Sequence, residues 1–420
     1  VSKRHVEELL QVYRNLFKDC LYAYPTLERE LDRDLVRLEG LVANRGLHVF
    51  VKDLPAAGKH FDKCLSAGEY TPCGLPLTGR FAGWTVVPKF LRGLLLLVFE
   101  ADGRLKADAD VQAVFFIRQF YLCAKKACLP SSAAAVYRTT EDFIAVDQEL
   151  PEPEEVWSLL APTTRDFIEY TGFSESPLYK ERLLARNEQV GNFLFFRRLL
   201  RLMDQVSNRI VAALGTYHPE DWSFRHGPGA VSERAGIVDK YSWQHWPLRL
   251  ENAYPIADYG FHNFAAWAAS DQSWSEEELP SRLIAVPKTY EKPRLIAAEP
   301  TANQWCQQNI WHFLEAGVTR SWISRFIRFR DQSRNQIMCL EGSRTGDLAT
   351  VDLSAASDRV TCHIVGQYFR SNPKLLLHLQ ACRTRRIRQS YFDNLPEEIT
   401  LRKFSTMGSA VTFPVQSLIF

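Results

Sequence analysis

Two carboxylates six positions apart, Asp352 and Asp358, bracket the small residues Ser354, Ala355, Ala356 and Ser357. The apolar residues of Leu348-Ala349-Thr350-Val351 predict a short buried strand that delivers Asp352 to its end, where the small residues begin a tight turn. A carboxylate placed there, with no bulky neighbour to block a ligand, suits a metal-bound phosphate. Mg2+ takes hard oxygen ligands, needs only one or two protein carboxylates, and completes its shell with substrate phosphates and water. On spacing alone the competing reading is two ordinary acids, one in a loop and one capping the next helix.

Three further stretches carry chemistry. Arg282–Lys288 and Arg294–Ala298 read as two β-strands joined by the turn Thr289-Tyr290-Glu291-Lys292-Pro293. Lys288, Lys292 and Arg294 on such a ribbon suit a triphosphate, because charge-assisted hydrogen bonds both hold it and offset charge developing on a leaving pyrophosphate. Without other support the same ribbon is a surface hairpin with exposed bases. The run Phe404-Ser405-Thr406-Met407-Gly408-Ser409-Ala410-Val411-Thr412-Phe413 combines hydroxyls at 405, 406 and 412 with a glycine, and a helix is expected from about Ser409 onward. Glycine permits close backbone approach. Finally, Thr319–Arg334 interleaves Arg320, Arg325, Arg328, Arg330 and Arg334 with Trp322, Phe326 and Phe329. That pattern serves either a strand-tracking groove, with guanidinium groups on phosphates and rings on bases, or a solvated, partly packed helix.

Asp352–Arg359, D-L-S-A-A-S-D-R, resembles palm motif A of the RNA-directed RNA polymerases (replicases) of positive-strand RNA bacteriophages, the leviviruses. Phe404–Phe413 resembles motif B of that family. Val286–Arg294 together with Glu299-Pro300-Thr301-Ala302-Asn303 resembles motif F. The three occur in the family's order, and the similarity runs from about Asp221 to Phe420, fainter before.

The resemblance implies an α+β right-hand polymerase fold. It assigns residues 1–150 to an N-terminal helical region at the fingers and palm periphery, 151–345 to fingers with the basic nucleotide-entry hairpin (282–298), and 346–420 to the first part of the palm. It implies viral RNA-directed RNA polymerase activity, with nucleotidyl transfer from ribonucleoside triphosphates assisted by two Mg2+ (or Mn2+) ions. Asp352 and Asp358 become the catalytic acids. Asp352 and the backbone carbonyl of Leu353 become metal ligands, and Asp358 senses the ribose 2′-hydroxyl. Lys288 and Arg294, with Lys292 behind them, take the triphosphate. Ser405, Thr406, Gly408 and Thr412 join Asp358 in nucleotide binding, and Arg325, Arg328 and Arg330 meet RNA. The implied partners are template and product RNA, host elongation factors Tu and Ts, and a ribosomal small-subunit protein, in the cytoplasm of a bacterial host.

The sequence departs from the family in three places. Ser409-Ala410 stands where Asn-Gly is familiar, and Gln416 where many other RNA polymerases place asparagine. No Asp-Asp pair occurs in the 420 residues, so motif C, with the remaining metal ligands, and the thumb are expected to be absent from a truncated chain that is inactive alone. Two alternatives stand beside this reading: a polymerase of a related capsidless RNA replicon, and a non-catalytic RNA-binding derivative of a polymerase.

Composition is that of an ordinary globular protein, 46% hydrophobic and 24% charged. The longest apolar run, Leu94–Phe99, is far below the roughly 18 residues of a membrane span, so a core segment is expected and no membrane partner. Nine scattered cysteines without a C-x-x-C pair read as reduced thiols packed as small hydrophobes. The net charge of +2 conceals a division: from Gly317 to Phe420 fifteen Lys and Arg face eight Asp and Glu, +7 against −5 elsewhere. A polyanion would meet that surplus.

Apolar spacing predicts helices over Val6–Leu21, Leu27–Val42, Asp108–Lys126 and Glu188–Leu214, the last with Arg197, Arg198 and Arg201 along one side, and loops between Gly58 and Gly83. Pro151–Glu155 is the expected boundary. The aromatic-rich region from Trp243 to Trp274 is expected chiefly in the core, and the Arg225–Ala230 turn with His226 is expected to be structural.

Overall fold

The computed structural model describes residues 3–79, 83, 85–169, 190–233, 239–243 and 245–420, with only the backbone of 190–197 and 239. It divides into two compact units, Val1–Thr139 with Val286–Arg294, and Thr140–Ala285 with Leu295–Phe420. The proline-marked segment at Pro151 lies inside the second unit.

The first unit is helical: α1 (Lys3–Ala23), α2 (Glu28–Arg45), α3 (Leu54–Ala67), α4 (Arg92–Val98), α5 (Val111–Leu122) and the start of α6 (Ala133–Gln148). The i, i+3, i+4 spacing of Leu10, Tyr13, Phe17 and Cys20 buries one face of α1. These side chains join Phe50, Phe61, Leu94, Leu95, Phe120 and Tyr121 in one core. The apolar run at Leu94 is therefore packed interior, and Asp110 caps α5 by accepting from the N–H groups of Gln112 and Ala113. The loop expected from Gly58 begins only after Ala67. Gly58 lies inside α3 because a Cβ there would meet Leu122 Cδ2 at 2.6 Å and Tyr121 Cβ at 2.9 Å. It is a packing residue and not the start of the loop.

In the second unit a four-stranded sheet runs in the order β2-β1-β3-β4, with β1 Ser281–Val286, β2 Arg294–Ala298, β3 Arg386–Arg388 and β4 Glu398–Thr400. β1 pairs parallel with β3 and β3 antiparallel with β4. The two strands expected from the basic hairpin are thus β1 and β2. Ile144, Leu283, Ala297, Ile387, Ile399 and Leu401 form the small core on this sheet.

A larger core gathers α7 (Thr164–Glu169), α8 (Val190–Leu214), α9 (Leu248–Ala253), α10 (Ile256–Tyr259), α11 (Phe264–Ala268), α12 (Thr301–Arg320), α14 (Cys362–Phe369), α15 (Pro373–Cys382) and α16 (Thr412–Ile419). Trp243, Trp246 and Tyr254 are buried in it, whereas Phe264 and Trp274 stay exposed. Arg198 and Arg201 are exposed on α8; Glu188 and the Arg197 side chain lie outside the described residues. The helix expected from Ser409 starts at Thr412, since residues 408–411 form turns. Helix α13 (Ser333–Thr345) has no buried residue and ends at Gly346 in the left-handed conformation, φ 76°.

The buried strand expected over Leu348–Val351 does not form: Leu348, Val351 and Leu353 are exposed. A strand needs a ladder partner for its backbone groups, and none runs beside 348–351 among the described residues.

No helix among the described residues is long and apolar enough to cross a membrane. All nine cysteines are free thiols.

The large core makes an acid-sensitive element. Burial holds the His378 imidazole at about 4, against an ordinary 6.5, while its Nδ1–H donates to the Lys374 carbonyl at 2.7 Å. The unfolded chain binds the proton from about pH 6.5 downward and the folded chain only near pH 4, so stability is lost as pH falls through that window. Across it, urea denaturation is expected to show wild type losing about 3 kcal/mol relative to His378→Gln; parallel pH profiles would contradict this.

Candidate functional site

Asp352 sits in the exposed stretch after α13 and makes no ion pair or hydrogen bond with another described residue. The tight turn expected beyond it forms: residues 354–356 turn, with Ala355 at φ 51°, and Ser357–Arg359 complete one 3-10 turn. Asp358 does not cap the following helix. Thr361 does, accepting from the Ile364 N–H.

Asp358 instead faces Lys403, whose Nζ lies 3.0 Å from Asp358 Oδ1. The lysine side chain is wholly buried. It also lies 3.9 Å from Asp147 Oδ1 and 3.4 Å above the centroid of the Phe143 ring. Burial pushes the Lys403 ammonium down, and Asp358 and Asp147 oppose that shift. Asp147, at the end of α6, accepts the N–H groups of Arg402 and Lys403 at 3.0 and 3.1 Å. The buried Arg383 guanidinium donates to the carbonyls of Leu401, Lys403 and Phe404. Segment 401–404 is thereby held from both sides. The Phe404 N–H donates to the Val360 carbonyl at 2.8 Å, tying it to the turn that carries Asp358.

Beyond Phe404 the motif B residues fold inward. Ser405, Thr406 and Thr412 are buried. The Thr412 hydroxyl lies 2.6 Å from the Thr406 carbonyl oxygen, which accepts from it, and 2.8 Å from Ser405 Oγ. Gly408 has φ +123°, and an added Cβ would stand 2.0 Å from the Ala297 carbonyl oxygen on β2. The Ala297 N–H donates to the Met407 carbonyl at 2.7 Å. The close backbone approach expected of this glycine is made by the neighbouring strand.

Lys288, Lys292 and Arg294 are exposed and belong to the first unit. Tyr290, between them, is buried in the helical core against His48, and Lys52 pairs with Glu291 at 2.8 Å. The turn's tip is pinned while its cations face solvent. In the arginine-rich stretch, Arg328 pairs with Asp331 at 3.0 Å, Arg330 pairs with Glu315, and the Arg325 carbonyl accepts from Arg334 at 2.6 Å. Phe326 is 77% exposed and Trp322 47%. Exposed ion pairs are worth less than about 1 kcal/mol, so these arginines remain available to phosphates.

The residues fit a divalent ion in part. Asp352 offers a free, exposed carboxylate, but no cluster of three or more metal-ligating side chains occurs among the described residues. Asp358 is engaged by its lysine.

A family described as RNA replicase, beta-chain matches residues 251–420. That segment contains the basic hairpin, both acids, Lys403 and Gly408. It is similar to the replicase beta chains of RNA phages. The RNA-directed RNA polymerase beta chain of Escherichia phage MS2 is 36% identical over 138 residues, 33% of this chain and 23% of the phage protein. The beta chain of Enterobacteria phage GA is 32% identical over 177 residues, 40% and 31% of the two chains. The subunit beta of Escherichia virus Qbeta is 35% identical over 148 residues, 33% and 22%. The chain thus spans about a quarter of the length of the relatives it matches.

The matched segment also holds a residue that its sequence does not announce. Lys403 directly precedes motif B, and Leu401-Arg402-Lys403-Phe404 carries no sign that one of its two cations is buried. Asp147 and Phe143 lie outside the matched segment, and nothing in their spacing announces them.

Proposed function

We propose that this chain contributes the fingers and the first part of the palm of a right-hand, template-directed RNA polymerase that replicates an RNA genome in a bacterial host cell. The observation that carries the reading is the joining of motif A to motif B: the turn bearing Asp358 is bonded to segment 403–404, and the loop after it is seated on β2 through Gly408. The matched family supports it.

In this reading the exposed Asp352 carboxylate, with the Leu353 carbonyl, supplies part of the ligand set of a Mg2+ or Mn2+ ion, which when bound steadies phosphate and hydroxyl oxygens. Asp358 accepts a sugar hydroxyl. Lys288 and Arg294, aided by Lys292, neutralise the triphosphate. Ser405, Thr406 and Thr412 shape the loop under the nucleotide through their mutual hydrogen bonds. Arg325, Arg328 and Arg330 track RNA, with Phe326 and Trp322 offering faces to bases. Subunits such as elongation factors Tu and Ts and a ribosomal protein belong to this proposal through the family resemblance. Because Asp352 has no carboxylate companion among the 420 residues' Asp-Asp pairs, of which there are none, the 420-residue chain by itself is not a catalyst.

The hairpin offers a direct test. In the full-length protein, Lys288→Ala and Arg294→Ala are each expected to raise KM for ribonucleoside triphosphates about tenfold, the loss of one charge-assisted hydrogen bond, with template RNA binding retained. Unchanged KM values in steady-state incorporation would remove the hairpin from nucleotide binding.

A further inference from the structure

We propose that Lys403 is the positioning residue that aims Asp358 at the sugar hydroxyl of the incoming nucleotide, and so sets the preference for ribonucleotides over deoxyribonucleotides. The inference rests on the polymerase reading and adds to it a residue that reaches the nucleotide only through another.

Three observations carry it. First, the ammonium is wholly buried between two carboxylates, and only one of them is within reach of solvent. Asp147 is 1% exposed and already accepts two backbone N–H groups, whereas Asp358 is 28% exposed. A ligand can therefore meet this cluster only through Asp358. Second, the lysine engages Oδ1 of Asp358, and Oδ2 has no partner among the described residues. One oxygen is clamped and the other is an open acceptor with a fixed direction. Third, the backbone on both sides is tied. Thr361 and Lys403 form an antiparallel bridge, Phe404 donates to Val360, and Arg383 holds the carbonyl of Lys403.

The charges define the ligand. Two carboxylates against one ammonium leave a single negative charge, and a carboxylate oxygen is an acceptor. Such a group takes a neutral donor, a hydroxyl, and repels phosphate. A deoxy sugar leaves the oriented oxygen without its donor, which is how a site built to bond a hydroxyl rejects the analogue lacking it.

The test is steady-state incorporation of matched ribo- and deoxyribonucleoside triphosphates by the full-length protein. Lys403→Met is expected to lower the ratio of kcat/KM for ribo over deoxy about tenfold, with the loss falling on KM for the ribonucleotide. Asp358→Asn, at the solvent edge, should lower the ratio to the same degree, with some loss of stability because the buried ammonium loses its nearer counter-charge, and the double variant should lose no more of the ratio than either single one. Asp147→Asn, which borders the same ammonium away from solvent, should lower thermal stability and leave the ratio in place. If Lys403→Met fails to fold, Asp358→Asn and Asp147→Asn still decide. RNA synthesis with an unchanged ratio in Asp358→Asn, or a ratio that falls equally in Asp147→Asn, would overturn the assignment while the polymerase reading stands. A wild-type protein that makes no RNA would overturn both.

Discussion

Asp352→Asn in the full-length protein is expected to reduce RNA synthesis by about a thousandfold or more, about 4 kcal/mol of transition-state stabilisation, with folding and template binding unchanged. The Asp352 carboxylate makes no ion pair or hydrogen bond with another described residue, and its neighbours Val351 and Leu353 are exposed. Removing the charge therefore costs the fold nothing, unlike the removal of Asp147, which would leave two backbone donors without their acceptor and a buried ammonium with one counter-charge fewer. Asparagine keeps the size of the side chain and one oxygen but not the charge that a hard divalent ion requires. Loss of incorporation without loss of melting temperature is the expected pair of results. Activity within tenfold of wild type would show that Asp352 is a loop acid.

Gly408→Ala should give the opposite pattern, with stability and activity falling together. The residue holds φ +123°, where a side chain is strained, and its Cβ would stand 2.0 Å from the Ala297 carbonyl oxygen. That oxygen belongs to β2 backbone, so it cannot swing away as a flexible side chain would. The strain alone is worth about 1–3 kcal/mol, and relief requires moving the 407–409 loop off β2 and breaking the bond from Ala297 N–H to the Met407 carbonyl. A fall in melting temperature of about 5 °C is expected. Incorporation should be impaired more than Ser405→Ala would impair it, because the whole loop shifts. A variant with wild-type stability would mean that the loop relaxes without the strand.

Much of this was legible in the sequence. The alternation in Arg282–Ala298 announced β1 and β2, the helical spacing around Tyr13 and Phe120 announced the first unit's core, and the small residues 354–357 announced a turn. Local rules decide such features. What the sequence left hidden depends on distant partners. Leu348–Val351 has strand composition but no ladder neighbour among the described residues, so composition misled. Lys403 has the type of a surface residue, and only the meeting of α6 with the segment before motif B buries it. Gly408 was legible as a point of close backbone approach, but nothing in the sequence names β2 as the strand that approaches it. The resemblance assigns Ser405, Thr406 and Thr412 to ligand contact, and the structure shows the Thr412 hydroxyl beside that of Ser405 and beside the Thr406 backbone carbonyl.

The central claim, that this chain is part of a template-directed RNA polymerase, is tested most directly by supplying the full-length protein with a defined RNA template and labelled ribonucleoside triphosphates, with Mg2+ and after its removal by chelation. A product complementary to the template, one pyrophosphate released per nucleotide added, and no product without the ion are expected. RNA bound in both conditions and no nucleotide incorporated in either would contradict it and leave an RNA-binding protein in its place.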